Sequence, residues 1–422
     1  MSASQPPAGL ARRLGTVDAV AIGLASMIGA GVFAAFGPAA EAAGAGLLAG
    51  LAVAAVIAYC NAVASAQLAA AYPVSGGTYV YGREQLGHWW GFTAGWGFVI
   101  GKTASCAAMA LTFAAYAVPE PQWLRRVVAV VAVLALAALN YRGVTRTAKV
   151  AVVLVALTVT ALGVFVGTAV TGEGATPTHL AGWAPTGAGD LYGILQAAGL
   201  LFFAFAGYAR MATMGEEVRD PGITLKRAIP FALGITVVVY ATVGTAALFA
   251  VGPAQLAESA SPLVEASRDA VAPFVRAGAA VASLGALLAL LAGIGRTALA
   301  MARERDLPHW LAAVHERTQV PHHAEIALAV VVCVLVLTTD LRNALGFSSF
   351  GVLVYYAVAN LAAFTQPREQ RSYPRALNVL GVVGCVTLAA TLPVTAVLAG
   401  VGVFAVGLVG RLVVRRLRRS AT

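Results

Sequence analysis

The feature that most constrains this chain is a series of apolar runs, each about as long as a helix that crosses a bilayer. The hydrocarbon core is about 30 Å thick, and roughly 20 helical residues cross it. Such runs recur from residue 17 to residue 413 of the 422-residue chain. Only 11% of the residues are charged, against about a quarter in soluble domains. The sequence therefore predicts an all-α membrane protein without a sizeable soluble domain.

The runs predict about twelve transmembrane helices, of which the ninth and the eleventh are the least certain to span by length. The first run is too long for a signal peptide and is not followed by a clear cleavage site, so we predict that it is retained. The predicted helices cover residues 17–39, 43–70, 88–118, 124–140, 149–170, 190–214, 228–251, 271–298, 324–339, 344–365, 376–391 and 393–413.

The basic residues predict the orientation of the chain. Its net charge is +10, but the charges lie in short clusters between apolar runs, which argues against a nucleic-acid surface. Most arginines and lysines fall in alternate connections, on the side that also holds Arg12, Arg13 and the basic tail at 415–422. By the positive-inside rule, we predict that both termini are cytoplasmic in a bacterial-type plasma membrane. The tail could also contact anionic lipid.

The reactive side chains do not form the pattern of an enzyme or of a metal site. All four cysteines lie within apolar runs, where we predict packing roles, and the six histidines lie in connections or at helix ends. Gly101-Lys102-Thr103 resembles the end of a phosphate-binding loop, but Trp96 stands where the first glycine should be. We predict no catalytic residues, no metal and no cofactor.

Glycines interrupt the first and the sixth run near mid-membrane. The first contains Ile28-Gly29-Ala30-Gly31, and the sixth contains Phe205-Ala206-Gly207-Tyr208. Glycine disfavours a helix interior by about 1 kcal/mol relative to alanine, so both helices can unwind there. Corresponding breaks in two halves indicate an inverted-repeat transporter with a midplane site. Close helix packing is the alternative explanation, because small residues let helices approach.

Four segments resemble those of the amino acid/polyamine/organocation superfamily of permeases. They are Gly29-Ala30-Gly31, the stretch from Tyr72 to Tyr79, the stretch from Gly215 to Pro221 and the stretch from Ala300 to Pro308. The resemblance implies a leucine-transporter fold, with repeats at about 17–170 and 190–365 forming a transporter core at 17–365. A cytoplasmic segment at 1–16 would precede the core, and two further helices would lie within 366–414.

The resemblance also implies the substrate site. Backbone amides near Ala30 and Gly31 would hold a carboxylate, as free amides at a helix start do, and carbonyls around Ala206 would hold the amino group. The residue pattern adds no mid-membrane carboxylate, which disfavours a cationic substrate. The predicted substrate-binding residues are Ile28, Gly29, Ala30, Gly31, Phe205, Ala206, Gly207 and Tyr208.

Two cations lie inside predicted helices. Lys102 is in the middle of the third run, where a charge is costly and by default functional. It can take up and release a proton, so we predict a coupling role, with snorkelling or carbonyl pairing as the alternative. Arg210 follows the second break and is a predicted gate residue, if the helix bends enough for it to meet Glu216 or Glu217.

These features predict a secondary active transporter of amino acids, of small neutral ones in particular, which works by alternating access and is proton-coupled. An amino acid exchanger or a polyamine transporter of the same fold is an alternative, as is a membrane sensor or channel that transports nothing. The predicted partners are an amino acid and membrane lipid, without nucleic acid.

Overall fold

The computed structural model describes residues 14–73, 76–142, 148–172, 174–212, 214 and 217–419. Within them the chain is helical and forms no strand apart from an isolated parallel bridge between Leu14 and Val218. The α-helices are α1 (Thr16–Met27), α2 (Ala30–Ala34), α3 (Phe36–Ala43), α4 (Leu47–Ala71), α5 (Thr78–Leu86), α6 (His88–Ala117), α7 (Gln122–Tyr141), α8 (Ala148–Ala169), α9 (Ala188–Phe205), α10 (Ala209–Ala212), α11 (Pro221–Glu258), α12 (Pro262–Glu265), α13 (Ala272–Arg303), α14 (His322–Thr338), α15 (Leu341–Thr365), α16 (Arg375–Thr391) and α17 (Val394–Arg419).

The apolar runs and the helices agree closely, and the protein is a multi-pass membrane protein. Ten helical stretches of the described chain are long and apolar enough to cross a membrane. Helices α14 and α16, with 17 residues each, are the two shorter apolar helices. They are the ninth and eleventh predicted spans, so the count of twelve, the 5+5 repeat and the division at residue 365 stay predictions.

The predicted boundaries were wrong mainly where a helix continues beyond its apolar part. Helix α11 begins at Pro221 rather than at residue 228, because the helix continues through the polar turn that contains Lys226 and Arg227. The first run is also not one helix, since it divides into α1, α2 and α3. Between α4 and α6, where no element was predicted, Thr78–Leu86 forms a short helix.

Helix α6 lies at the centre of the molecule and is the most buried of the long apolar helices. Its glycines allow α15 to approach closely, because a Cβ on Gly351 would lie 2.8 Å from the Gly101 Cα atom. Small residues at such a crossing let two membrane helices pack backbone to backbone. This contact fixes α15 against the part of α6 that carries Lys102.

The buried residue Arg411 connects helix α17 to other helices through an ion pair and a hydrogen bond. Arg411 of α17 lies with its Nη2 atom 2.6 Å from the Asp306 carboxylate, and its Nη1 atom donates to the His88 carbonyl at 2.7 Å. Its guanidinium group also lies 4.5 Å from the centre of the Phe92 ring. Asp306 in turn accepts a hydrogen bond from the Tyr79 hydroxyl at 3.0 Å. The end of α17, the start of α6, α5 and the segment after α13 are thus connected.

Candidate substrate site

The first predicted break is confirmed. Helix α1 ends at Met27, and the backbone leaves helical geometry at Ile28 (ψ 67°) and at Gly29 (φ −119°, ψ −142°). The helix starts again at Ala30 and continues through α2 and α3 with only Ala35, itself helical in geometry, between them. The first amides of a helix have no partner within it and lie at the positive end of its dipole. The break therefore presents donors suited to an anion.

The second predicted break is confirmed as well. Helix α9 ends at Phe205, Ala206–Tyr208 form a 3₁₀ turn, and α10 follows from Ala209. At this turn the Lys102 ammonium of α6 donates a hydrogen bond to the Ala206 carbonyl at 3.0 Å. Lys102 is only 5% exposed. The carbonyl pairing considered for this lysine is therefore present, at one of the predicted site residues.

The two broken helices pack directly against one another through glycine. A Cβ on Gly31 would lie 2.6 Å from the Ala204 Cα atom, and a Cβ on Gly207 would lie 2.1 Å from the Ser26 carbonyl oxygen. The packing explanation for these glycines is therefore correct, and it coexists with the unwound backbone. A bulky substitution at Gly31 cannot separate the two roles, because it would disturb the helix contact in either case.

Tyr240 of α11 contacts the backbone next to both breaks through its hydroxyl group. Its hydroxyl lies 2.6 Å from the carbonyl oxygen of Met27, the last residue of α1, and 3.0 Å from that of Ala204 in α9. One hydroxyl proton can serve either acceptor. The sequence did not indicate this role, because a single tyrosine in an apolar run is usually a core-packing residue. The hydrogen bond to Met27, some 200 residues away in the chain, is seen only in the folded structure.

We expect Tyr240→Phe to weaken substrate binding while leaving membrane insertion intact. Removing one partner of a buried hydrogen bond disfavours the structure by about 1–3 kcal/mol, or roughly five- to a hundredfold in affinity. Ligand titration of the purified variant measures this, with Tyr192→Phe, at an exposed tyrosine near the start of α9, as the matched control. Equal affinities in the two variants would show that the Tyr240 hydroxyl does not position the breaks.

A cavity of about 690 Å³ lies between the breaks. Seven of the ten residues predicted for binding, coupling or gating line it, namely Gly29, Ala30, Gly31, Lys102, Ala206, Gly207 and Arg210. Apolar side chains that were not predicted also face it, among them Phe98, Phe203 and Leu290.

Three predicted site residues lie elsewhere. Ile28, Phe205 and Tyr208 are buried and do not line the cavity. The Phe205 ring packs on Tyr240 at 5.0 Å, and the Tyr208 ring packs on Tyr356 of α15 at 4.9 Å. In an unwound segment neighbouring residues point in different directions, so membership of the segment does not predict which side chains reach the substrate.

The end of the cavity near the start of α1 is charged. The Arg210 guanidinium lies 3.7 Å from the Glu217 carboxylate. Helix α10 ends at Ala212, and the Glu217 amide donates a hydrogen bond to the Met214 carbonyl at 2.9 Å. One of the two predicted pairings is therefore confirmed, while Glu216 lies outside the described residues. Arg296 of α13 also lines this end and was not predicted, since it lies close to the end of its apolar run.

Broken helices around a shared cavity are the arrangement expected of a membrane transporter, and comparison with known proteins gives the family. The chain belongs to the amino acid permease family, whose model matches residues 14–410. The resemblance stated from the four segments is thus confirmed.

Three relatives illustrate the range of the family. An uncharacterized transporter of Mycobacterium tuberculosis (strain H37Rv) is 55% identical over 98% of this chain and 94% of its own length. The branched-chain amino acid permease BcaP of Bacillus subtilis is 28% identical, over 88% of this chain and 84% of its own. Cationic amino acid transporter 7 of Arabidopsis thaliana, a chloroplastic protein, is 29% identical, over 84% and 65% respectively. The family and the relatives indicate a transporter.

Proposed function

We propose that this protein is a secondary active transporter that carries small neutral amino acids across a bacterial inner membrane by alternating access. The observation that carries the proposal is the cavity at which both broken helices meet, with helix-start amides on one wall and a carbonyl-bearing turn on the other. We further propose that both termini are cytoplasmic, as the distribution of basic residues predicts.

The two breaks offer complementary partners for a zwitterion. The amides that begin α2 suit the carboxylate, and the carbonyls of Ala206 and Gly207, which line the cavity, suit the ammonium group. Apolar side chains of Phe98, Met109 and Phe203 line the same cavity and would contact the substrate side chain. A cavity of about 690 Å³ lies within the range of about 300–1,000 Å³ usual for small-molecule sites.

Lys102 supplies a route to proton coupling. Its ammonium already occupies the Ala206 carbonyl, which is a partner proposed for the substrate ammonium. Two ammonium groups at one carbonyl repel each other, so binding favours a neutral or withdrawn Lys102. The titratable and charged groups that face this region are Cys106 on α6 and, at the far end of the cavity, Arg210, Glu217 and Arg296. Substrate and proton would therefore compete at one position.

The α13 residues that face the first break support transport that does not require sodium. A Cβ on Gly29 would lie 3.1 Å from the Ala286 methyl group of α13. Ala289 and Leu290 line the cavity beside it, and none of these three residues carries a side-chain oxygen. The hydroxyl of Ser283, three residues before Ala286, is buried and does not line the cavity. Sodium is coordinated by oxygen atoms, and the Lys102 ammonium would take the electrostatic place of such a cation.

A ligand screen of the purified protein tests the substrate class. We expect neutral amino acids to raise the unfolding temperature and polyamines to leave it unchanged, because Lys102, Arg210 and Arg296 face the cavity against the single carboxylate of Glu217 among its described lining. Ligand at about 100 times its Kd stabilises a protein by about 2.7 kcal/mol. A rise in unfolding temperature with polyamines alone would contradict the proposal. Counterflow measured in proteoliposomes would separate a transporter from a channel.

A further inference from the structure

The charged end of the cavity contains both signs of charge. Glu217 lies beside Arg210, and Arg296 faces the same space from α13. Arg296 is exposed and makes no salt bridge to any described side chain, although Glu325 of α14 lies near enough to act on it electrostatically. The cavity therefore ends in a guanidinium group that still has hydrogen-bond donors to offer.

Glu217 is held in place by its backbone. Its carbonyl accepts a hydrogen bond from the Leu14 amide at 3.1 Å, and the Leu14 carbonyl accepts one from Arg219 at 2.9 Å. The Arg210–Glu217 separation of 3.7 Å exceeds hydrogen-bond length, so the carboxylate can accept a further cationic donor. A carboxylate on an anchored backbone and an available guanidinium match the two charges of a zwitterion.

We propose that this end of the cavity is a second substrate subsite, in which Arg296 binds the carboxylate of an amino acid and Glu217 binds its ammonium group. The subsite rests on the proposed function and lies between the broken helices and the cytoplasm. A substrate would occupy it after leaving the breaks or before reaching them from inside. The two guanidinium groups would repel polyamines, which carry no carboxylate.

Sided transport measurements test the subsite. Uptake of radiolabelled L-alanine and L-leucine is measured in inside-out and right-side-out membrane vesicles that contain wild type, Arg296→Gln or Arg303→Gln. We expect Arg296→Gln to raise KM at the cytoplasmic face about tenfold, the usual effect of losing one charged hydrogen bond, with KM at the outer face nearly unchanged. Arg303 is the matched control, because it is an exposed arginine of α13 outside the cavity lining.

Two further variants make the result decisive. Arg296→Lys keeps the positive charge and should restore most of the cytoplasmic affinity, while Glu217→Gln should raise KM at the same face. The subsite is overturned if Arg296→Gln matches Arg303→Gln at the cytoplasmic face, or if its KM rises equally at both faces. Wild-type vesicles that take up neither amino acid would instead count against the proposed function itself.

Discussion

Uptake by a Lys102→Ala variant should lose its dependence on pH while substrate binding is partly retained. In the wild type the Lys102 ammonium lies 3.0 Å from the Ala206 carbonyl, and under the proposed function it would compete with the substrate ammonium for that carbonyl. A neutral lysine does not compete, so the apparent affinity of the wild type should tighten as pH rises. Arg210 cannot replace Lys102 in this role, because a guanidinium group stays protonated.

Substrate affinity and uptake rate measured across a pH series, with and without sodium, provide the test. We expect the wild-type affinity to change about tenfold, which corresponds to about 1.4 kcal/mol of competition, and sodium to have no effect. Lys226→Ala, at a lysine near the start of α11 and outside the cavity lining, is the matched control and should keep the wild-type profile. Retention of that profile by Lys102→Ala, or a requirement for sodium, would make Lys102 a structural residue.

Gly207→Ala should reduce uptake more than tenfold, even though it adds a single methyl group. That methyl would lie 2.1 Å from the Ser26 carbonyl oxygen and 2.6 Å from the Met27 nitrogen. Both are backbone atoms at the end of α1, so α1 or the turn must move. Such overpacking destabilises by about 1–3 kcal/mol, and the displacement falls on the two segments that form the substrate cavity.

Transport normalised to the amount of protein in the membrane, together with thermal unfolding, measures both effects. Gly234→Ala in α11 is the control, since a Cβ there meets no atom within 4 Å. By helix propensity this control should stabilise the protein by up to about 1 kcal/mol. If both variants transport equally well and unfold at similar temperatures, the broken helices do not depend on the Gly207 contact.

Much of the fold was predictable because lipid imposes a simple requirement on sequence. A span must be apolar over a fixed length, so the positions of the long helices could be read directly. The broken segments were also visible, because glycine weakens a helix wherever it stands. The ends of α11 were less predictable, because a helix that leaves the membrane no longer needs apolar residues.

The residues that complete the site were harder to predict. Lys102 was evident because a buried charge is rare in membrane helices. Its partner, the Ala206 carbonyl, and the position of Tyr240 depend on how distant helices cross. Phe205 and Tyr208 were placed in the site although their rings point away from it, because the sequence identifies an unwound segment but not the direction of each side chain within it.

The connection made by Arg411 has a consequence for how the protein can be cut or fused. The ion pair with Asp306 and the hydrogen bond to His88 lie only a few residues before the end of the described chain. A deletion that removes Arg411 would leave the Asp306 carboxylate, itself mostly buried, without its ion-pair partner. Removing one partner of a buried ion pair is strongly destabilising. Tags and fused domains should therefore be attached after the basic tail. Helix α17 should not be shortened, because its Arg411 stabilises the contact with Asp306 and His88.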